Sequence, residues 1–295
     1  MEDKRIIFYY QTFNSLKPIL YENTPVTHIH LSSIHFGLDN NNQPYIHLNN
    51  YSPYHKNFDN MWLEIEQAKK MGIKIVLMVG GAGSAYQELF SNFEIYYSLL
   101  YNLFIDKPFI TGIDLDIEET VSLDNIKMLI SKIKKDFPSN NFIITTAPIQ
   151  SSLQNDIPGM GGFIYKDLIK SEVGKYINYI NGQFYSDYSL QAFDEIVSNK
   201  YNPKQIVMGM LSGQEFEDEL KKVVLKYNTQ FGGVFVWEYF NSNPEEWLTN
   251  INNILNGDKI LNGDKILNGD KILNGDKILN GDKILNGDKY ICNII

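Results

Sequence analysis

The stretch TGIDLDIEET, residues 111–120, sets three acids at every second position: Asp114, Asp116 and Glu118. Side chains alternate between the faces of a β-strand, so the acids share one face and Leu115 and Ile117 share the other. Gly112 stands on the acid-bearing face and leaves space there. Carboxylates crowded on a buried face cannot all ionise, and at least one should hold its proton above the usual range. A protonated carboxyl beside ionised neighbours can serve as a general acid. The pattern alone also fits a structural carboxylate network or a solvated strand face. It fits a calcium site poorly, because calcium ligands sit on flexible loops rich in Asn, Gly and backbone oxygens.

Such a strand needs neighbours. Short β-rich apolar runs recur at 5–11, 26–36, 73–81, 110–118, 141–148, 179–185, 205–211 and 232–240. Helical patterns lie between several of them. FDNMWLEIEQAKKMG ends in a helix-stopping Gly72, and SLDNIKMLISKIKKDF carries apolar residues at helical spacing with lysines toward its end. Eight strands separated by helices predict an α/β fold, a parallel sheet closed into a (β/α)8 barrel. An open doubly wound sheet is the alternative, although no glycine-rich nucleotide fingerprint follows the first strand. In a barrel of this kind active sites form at the C-terminal strand ends, and Glu118 is expected as the last residue of the fourth strand.

The remaining features narrow the function. A net charge of −9 argues against a nucleic-acid or anionic-membrane partner. Cys292 is the single cysteine, so no disulfide framework is expected. No CxxC or HExxH spacing points to a metal, and His28 and His30, though they alternate on a strand, have no carboxylate or cysteine near in sequence. The N-terminal apolar run is too short for a signal sequence, so a cytoplasmic protein is expected, or one released by a route the sequence does not show. From Ile254 to Lys289 the hexapeptide ILNGDK repeats six times. Residues 1–250 are therefore read as the catalytic domain, and 251–295 as a low-complexity C-terminal repeat tail expected to be disordered or to form marginal turns.

The pieces together resemble glycoside hydrolase family 18, the chitinases and their relatives. The family signature DxxDxDxE is matched by TGIDLDIE, with Thr111 in place of the first Asp. The SxGG of the third strand is matched by MVGG at 78–81, with Met78 for the serine. QFY at 183–185, TTAP at 145–148 and Trp237 in GGVFVWEYF follow the family pattern, and the resemblance spans roughly residues 5 to 248.

The resemblance implies a hydrolase acting on chitin or another oligosaccharide containing N-acetylglucosamine, working without a cofactor or metal as a monomer. Glu118 would be the general acid and then the base. Asp116 would hold the substrate acetamido group, Asp114 would tune Asp116 by sharing a proton, and Tyr185 would orient the acetamido oxygen. That oxygen attacks in place of an enzyme nucleophile, a substrate-assisted variant of retaining hydrolysis. Gln183, Trp237, Gly81 and Tyr10 are implied as substrate-binding residues. By residue type alone, Tyr185 and Trp237 would be ordinary core residues. With Thr111, a hydrogen-bonded relay to Asp114 would be shortened and the pH optimum moved. The resulting expectation is an endo-acting chitinase. An endo-β-N-acetylglucosaminidase on N-glycan cores, or a carbohydrate-binding lectin on the same barrel, are the alternatives.

Overall fold

The computed structural model describes residues 4–185 and 187–267. Eight parallel strands close on themselves: β1 (Arg5–Tyr10), β2 (His28–Leu38), β4 (Lys74–Gly80), β5 (Gly112–Asp116), β6 (Ile143–Thr146), β7 (Tyr179–Gln183), β8 (Ile206–Leu211) and β9 (Gly233–Trp237). β1 pairs with both β2 and β9, which completes the barrel. All eight expected runs contribute a strand, and the open-sheet alternative is excluded by that closure. A ninth strand, β3 (Pro44–Leu48), is not among the expected runs; it lies antiparallel on the distal half of β2.

The strand runs are apolar on both faces because parallel strands are buried on both. Barrel-facing residues of alternate parity fill the interior, among them Ile7, Tyr9, Val76, Met78, Ile143, Tyr179, Val207 and Phe235. Gly209 makes room for this packing: a Cβ there would stand 2.0 Å from the tip of the Phe235 ring. The outward faces receive helices α1 (Asp59–Lys70), α2 (Ala85–Ser91), α3 (Phe93–Asp106), α4 (Leu123–Asp136), α5 (Gln150–Gln154), α6 (Tyr165–Lys170), α7 (Leu190–Ser198) and α8 (Glu217–Tyr227). Helix α4 follows the sequence logic closely. Ser122 caps it by accepting from the Asp124 amide, Ile126, Leu129, Ile130 and Ile133 form the buried stripe, and Lys134 and Lys135 sit at its negative end.

The barrel unit ends at Ile251. Helix α9 (Pro244–Leu267) includes the first two ILNGDK units. Residues 268–295, with the other repeats and Cys292, lie outside the described residues. Among the described residues no helix is long and apolar enough to cross a membrane.

Candidate active site

The acid-bearing strand points its carboxylates into the barrel mouth. Asp114 is the deepest and fully buried, Asp116 is 5% exposed, and Glu118 is half-buried. Strand β5 ends at Asp116, so Glu118 stands two residues beyond it, a correction to its expected place as a strand residue. The loop carrying it is held by Glu119, whose carboxylate accepts from the backbone amides of Tyr86 (2.6 Å) and Gln87 (3.3 Å).

Asp114 is surrounded by donors from four strands. Tyr9 donates to Oδ2 at 2.6 Å, Thr145 to Oδ1 at 2.5 Å, and the Asn181 amide to Oδ1 at 3.2 Å. His30 Nδ1 lies 3.3 Å from Oδ2, with both side chains fully buried. Burial would raise the Asp114 carboxyl, but the charge of His30 and the Thr145 and Tyr9 hydroxyls hold it below the ordinary carboxylate range. The charge of Asp114 acts in turn on Asp116. For Asp116 the balance reverses. Burial, and then the charges of Glu118 and Asp114, push it well above the carboxylate range, against the hydrogen bond from Gln183. The raised acid expected on this strand is thus Asp116.

Gln183, at the end of β7, is the junction. Its Nε2 lies 3.2 Å from Asp116 Oδ1, 3.1 Å from Glu118 Oε1 and 3.0 Å from the Ala147 carbonyl. With two N–H bonds for three acceptors, it cannot serve all three at once. Tyr185 and Trp237 lie on top of the barrel core and form the floor of the mouth. Burial, then the charges of Asp116 and Glu118, push the Tyr185 hydroxyl well above its usual range, which keeps it a donor. Gly80 and Gly81 pack against the end of β5. A Cβ on Gly80 would come within 2.2 Å of the Asp116 carbonyl, and Gly81 donates its amide to that carbonyl at 2.9 Å.

These residues line a cleft of about 870 Å³. Its far wall is the β2–β3 hairpin and the turn after it, which supply His35, His47, Asn49 and Tyr51. The His35 and His47 rings stack across the hairpin at 5.6 Å. The sequence signal for this wall is PYIHL after an Asn-rich turn, a pattern short enough to pass for a loop. A second hollow of about 520 Å³, toward α5, shares Gln183 and Tyr185 with the cleft. The two depressions meet at Gln183 and Tyr185.

Two expectations change. Tyr10 is not at the site: it points outward, fully buried, and donates to the Asn14 carbonyl at 2.6 Å, whereas Tyr9 faces the barrel interior. Thr111 belongs to no relay. It lies three residues before Asp114, hence on the opposite strand face, and its Oγ1 is 3.5 Å from Lys69 on α1. Among the described residues no group of three or more His, Cys, Asp or Glu is placed to hold an ion.

No protein-family model and no curated protein sequence matches the chain. Solved structures do. A fungal endo-β-N-acetylglucosaminidase from glycosyl hydrolase family 18 is 30% identical, with a TM-score of 0.77, over 86% of this chain and 99% of that one. The chain belongs to glycoside hydrolase family 18. The chitinase ChiC from Aspergillus fumigatus is 32% identical, with a TM-score of 0.74, over 81% of this chain and 92% of its own. A family 18 chitinase from Pseudoalteromonas aurantia, at 22% identity and a TM-score of 0.66 over 85% of this chain and 100% of its own, shares the fold. This family 18 protein is accordingly a glycoside hydrolase on a (β/α)8 barrel.

Proposed function

We propose that the protein is an endo-acting chitinase that cleaves β-1,4 bonds between N-acetylglucosamine units, with retention, through an oxazolinium intermediate. The observation that carries this reading is the unequal burial of the two acids lining the cleft, Asp116 at 5% exposure and Glu118 half-buried. A conventional retaining glycosidase needs one carboxyl as acid and an ionised second one as nucleophile. Here Asp116 is buried and holds its proton well above the usual range, which makes it a poor nucleophile. For a retaining reaction the nucleophile then comes from the substrate, and a 2-acetamido oxygen supplies it.

The steps follow from position. When the sugar binds, Asp116 passes its proton to Glu118, and Glu118 gives it to the glycosidic oxygen as the C1–O bond breaks. The acetamido oxygen bonds to C1 from the other face, and positive charge spreads over the new ring. Asp116, by then a carboxylate, sits under that ring to accept the acetamido N–H and balance the charge. Tyr185 donates to the acetamido oxygen and aligns it. Glu118, now a carboxylate, takes a proton from water as the water attacks C1 and reopens the ring. Two inversions leave the configuration unchanged. Tyr185→Phe is expected to lower kcat by about 10- to 100-fold, the worth of a hydrogen bond to a charged group. Steady-state kinetics on a fluorogenic chitobioside will check it.

An endo-β-N-acetylglucosaminidase acting on N-glycan cores is the second reading. It is favoured by the similarity to the fungal enzyme of that description, 99% of which is covered. The same chitobiose bond is cut in both cases. Hydrolysis of chitotetraose and of a high-mannose glycopeptide by the wild-type protein separates them. Cleavage of chitotetraose is the expected result. Cleavage of the glycopeptide alone would replace the first reading with the second, and binding of chitotetraose without cleavage would make the protein a lectin.

A further inference from the structure

Among the described residues around Asp114, His30 is the one that takes no direct part in the proposed chemistry and can carry a positive charge. It lies on the interior face of β2, fully buried. Its Nε2 is 3.1 Å from the Tyr179 hydroxyl, and its Nδ1 faces Asp114 Oδ2 at 3.3 Å with no other polar partner. Met78 explains why a partner is needed from so far around the barrel. It is the register neighbour of Asp114 on β4 and occupies the serine position of the SxGG pattern, but it packs into the apolar core and offers no donor.

We propose that His30 is a positioning residue for the hydrolysis: it fixes Asp114 as the anion of the acid series, so that the exchangeable proton stays at the cleft with Asp116 and Glu118. The proposal rests on the reading of those two acids as the working groups.

The other groups facing this cluster do not substitute for His30. Tyr9 on β1 and Tyr179 on β7 are held protonated by burial, so they are donors without charge. Tyr86 on α2 and Tyr185 are likewise kept neutral, burial being the first cause in each. His28, two residues earlier on β2, is driven well below the usual imidazole range, by burial and then by the charges of His30 and Arg5, and is neutral. The Arg5 guanidinium lies over the far side of the Tyr179 ring, 4.4 Å from its centre, where it also donates to the Lys204 and Gly232 carbonyls. Asp116 and Glu118 follow Asp114 toward the cleft and bring no positive charge to it. A buried carboxylate so placed takes up a proton unless a cation faces it. Without His30 the proton would move to Asp114, one pleat below the substrate, and Asp116 would ionise more readily.

The test is a 13C NMR titration of the full chain labelled at the aspartate carboxyl carbons, with Asp114→Asn and Asp116→Asn assigning the two resonances. In the wild type Asp114 should titrate below Asp116. In His30→Gln, which keeps a hydrogen-bond donor but no charge, and in His30→Phe, Asp114 should titrate about one pH unit or more higher. With this, kcat at neutral pH should fall about tenfold, the alkaline limb of the kcat profile should move to lower pH, and KM should change little. The titration uses no substrate, so it remains decisive even if the protein cleaves none of the sugars offered. If Asp116 titrates below Asp114 in the wild type, the proposal is overturned. A folded His30→Gln protein with a lower melting temperature, an unmoved Asp114 resonance and an unmoved kcat profile would make His30 merely structural.

Discussion

Glu118→Gln should leave the fold and the cleft in place and lower kcat by about 10²–10⁴-fold, the usual worth of a positioned general acid and base. The reason is local. Of the two carboxylates lining the cleft, Asp116 is nearly inaccessible, and Glu118 alone is exposed enough to reach a glycosidic oxygen. Glutamine has the same shape and keeps an oxygen to accept from Gln183, but it has no proton to give and cannot take one from water. Binding of chitotetraose, followed by calorimetry, should change little, because the loss belongs to the transition state. Full activity in this variant would place the acid elsewhere.

Asp116→Asn should have two effects of opposite sign. Activity should fall by about 10²–10³-fold, since the amide cannot balance the oxazolinium charge. Stability should rise at neutral pH. The carboxyl of Asp116 is raised in the folded protein, so the folded state binds a proton that the unfolded chain has already released. Wild-type stability therefore falls as pH rises from about 4, the ordinary aspartate value, through the raised value, at about 1.4 kcal/mol per pH unit across that window. The asparagine variant lacks this slope. Thermal melts at a series of pH values should show the variant melting above the wild type at neutral pH and converging with it near pH 4. Equal slopes would mean that Asp116 does not hold the proton. A site residue that costs stability while it serves the reaction is a common trade.

The barrel strands are legible in the sequence because runs such as IKIVLMV are apolar on both faces, as parallel strands in a closed barrel must be. The acid series is legible because its period of two survives in any strand. Strand β3 is not, because PYIHL is short, begins with proline and pairs on one edge only. Tyr9 and Tyr10 cannot be told apart in RIIFYY: adjacent tyrosines point to opposite faces, and nothing within the run says which face is the interior. The partners of Asp114 are hidden for a different reason. Tyr9, His30, Thr145 and Asn181 come from four strands, and only closure of the barrel brings them together. Each does leave a trace, a polar or hydroxyl-bearing side chain inside an otherwise apolar run: FYY, HIH, TT, ING. The outward place of Thr111 is also legible, since an offset of three residues puts two side chains on opposite faces of a strand.

The configuration of the first product tests substrate assistance most directly. Wild-type protein should be mixed with chitohexaose in an NMR tube and the anomeric protons of the new reducing ends followed from the first minutes. Substrate-assisted attack predicts that the β-anomer appears first and relaxes to the equilibrium mixture afterwards. Initial release of the α-anomer would mean a single displacement by water, and would contradict the roles proposed for Asp116, Tyr185 and the acetamido group.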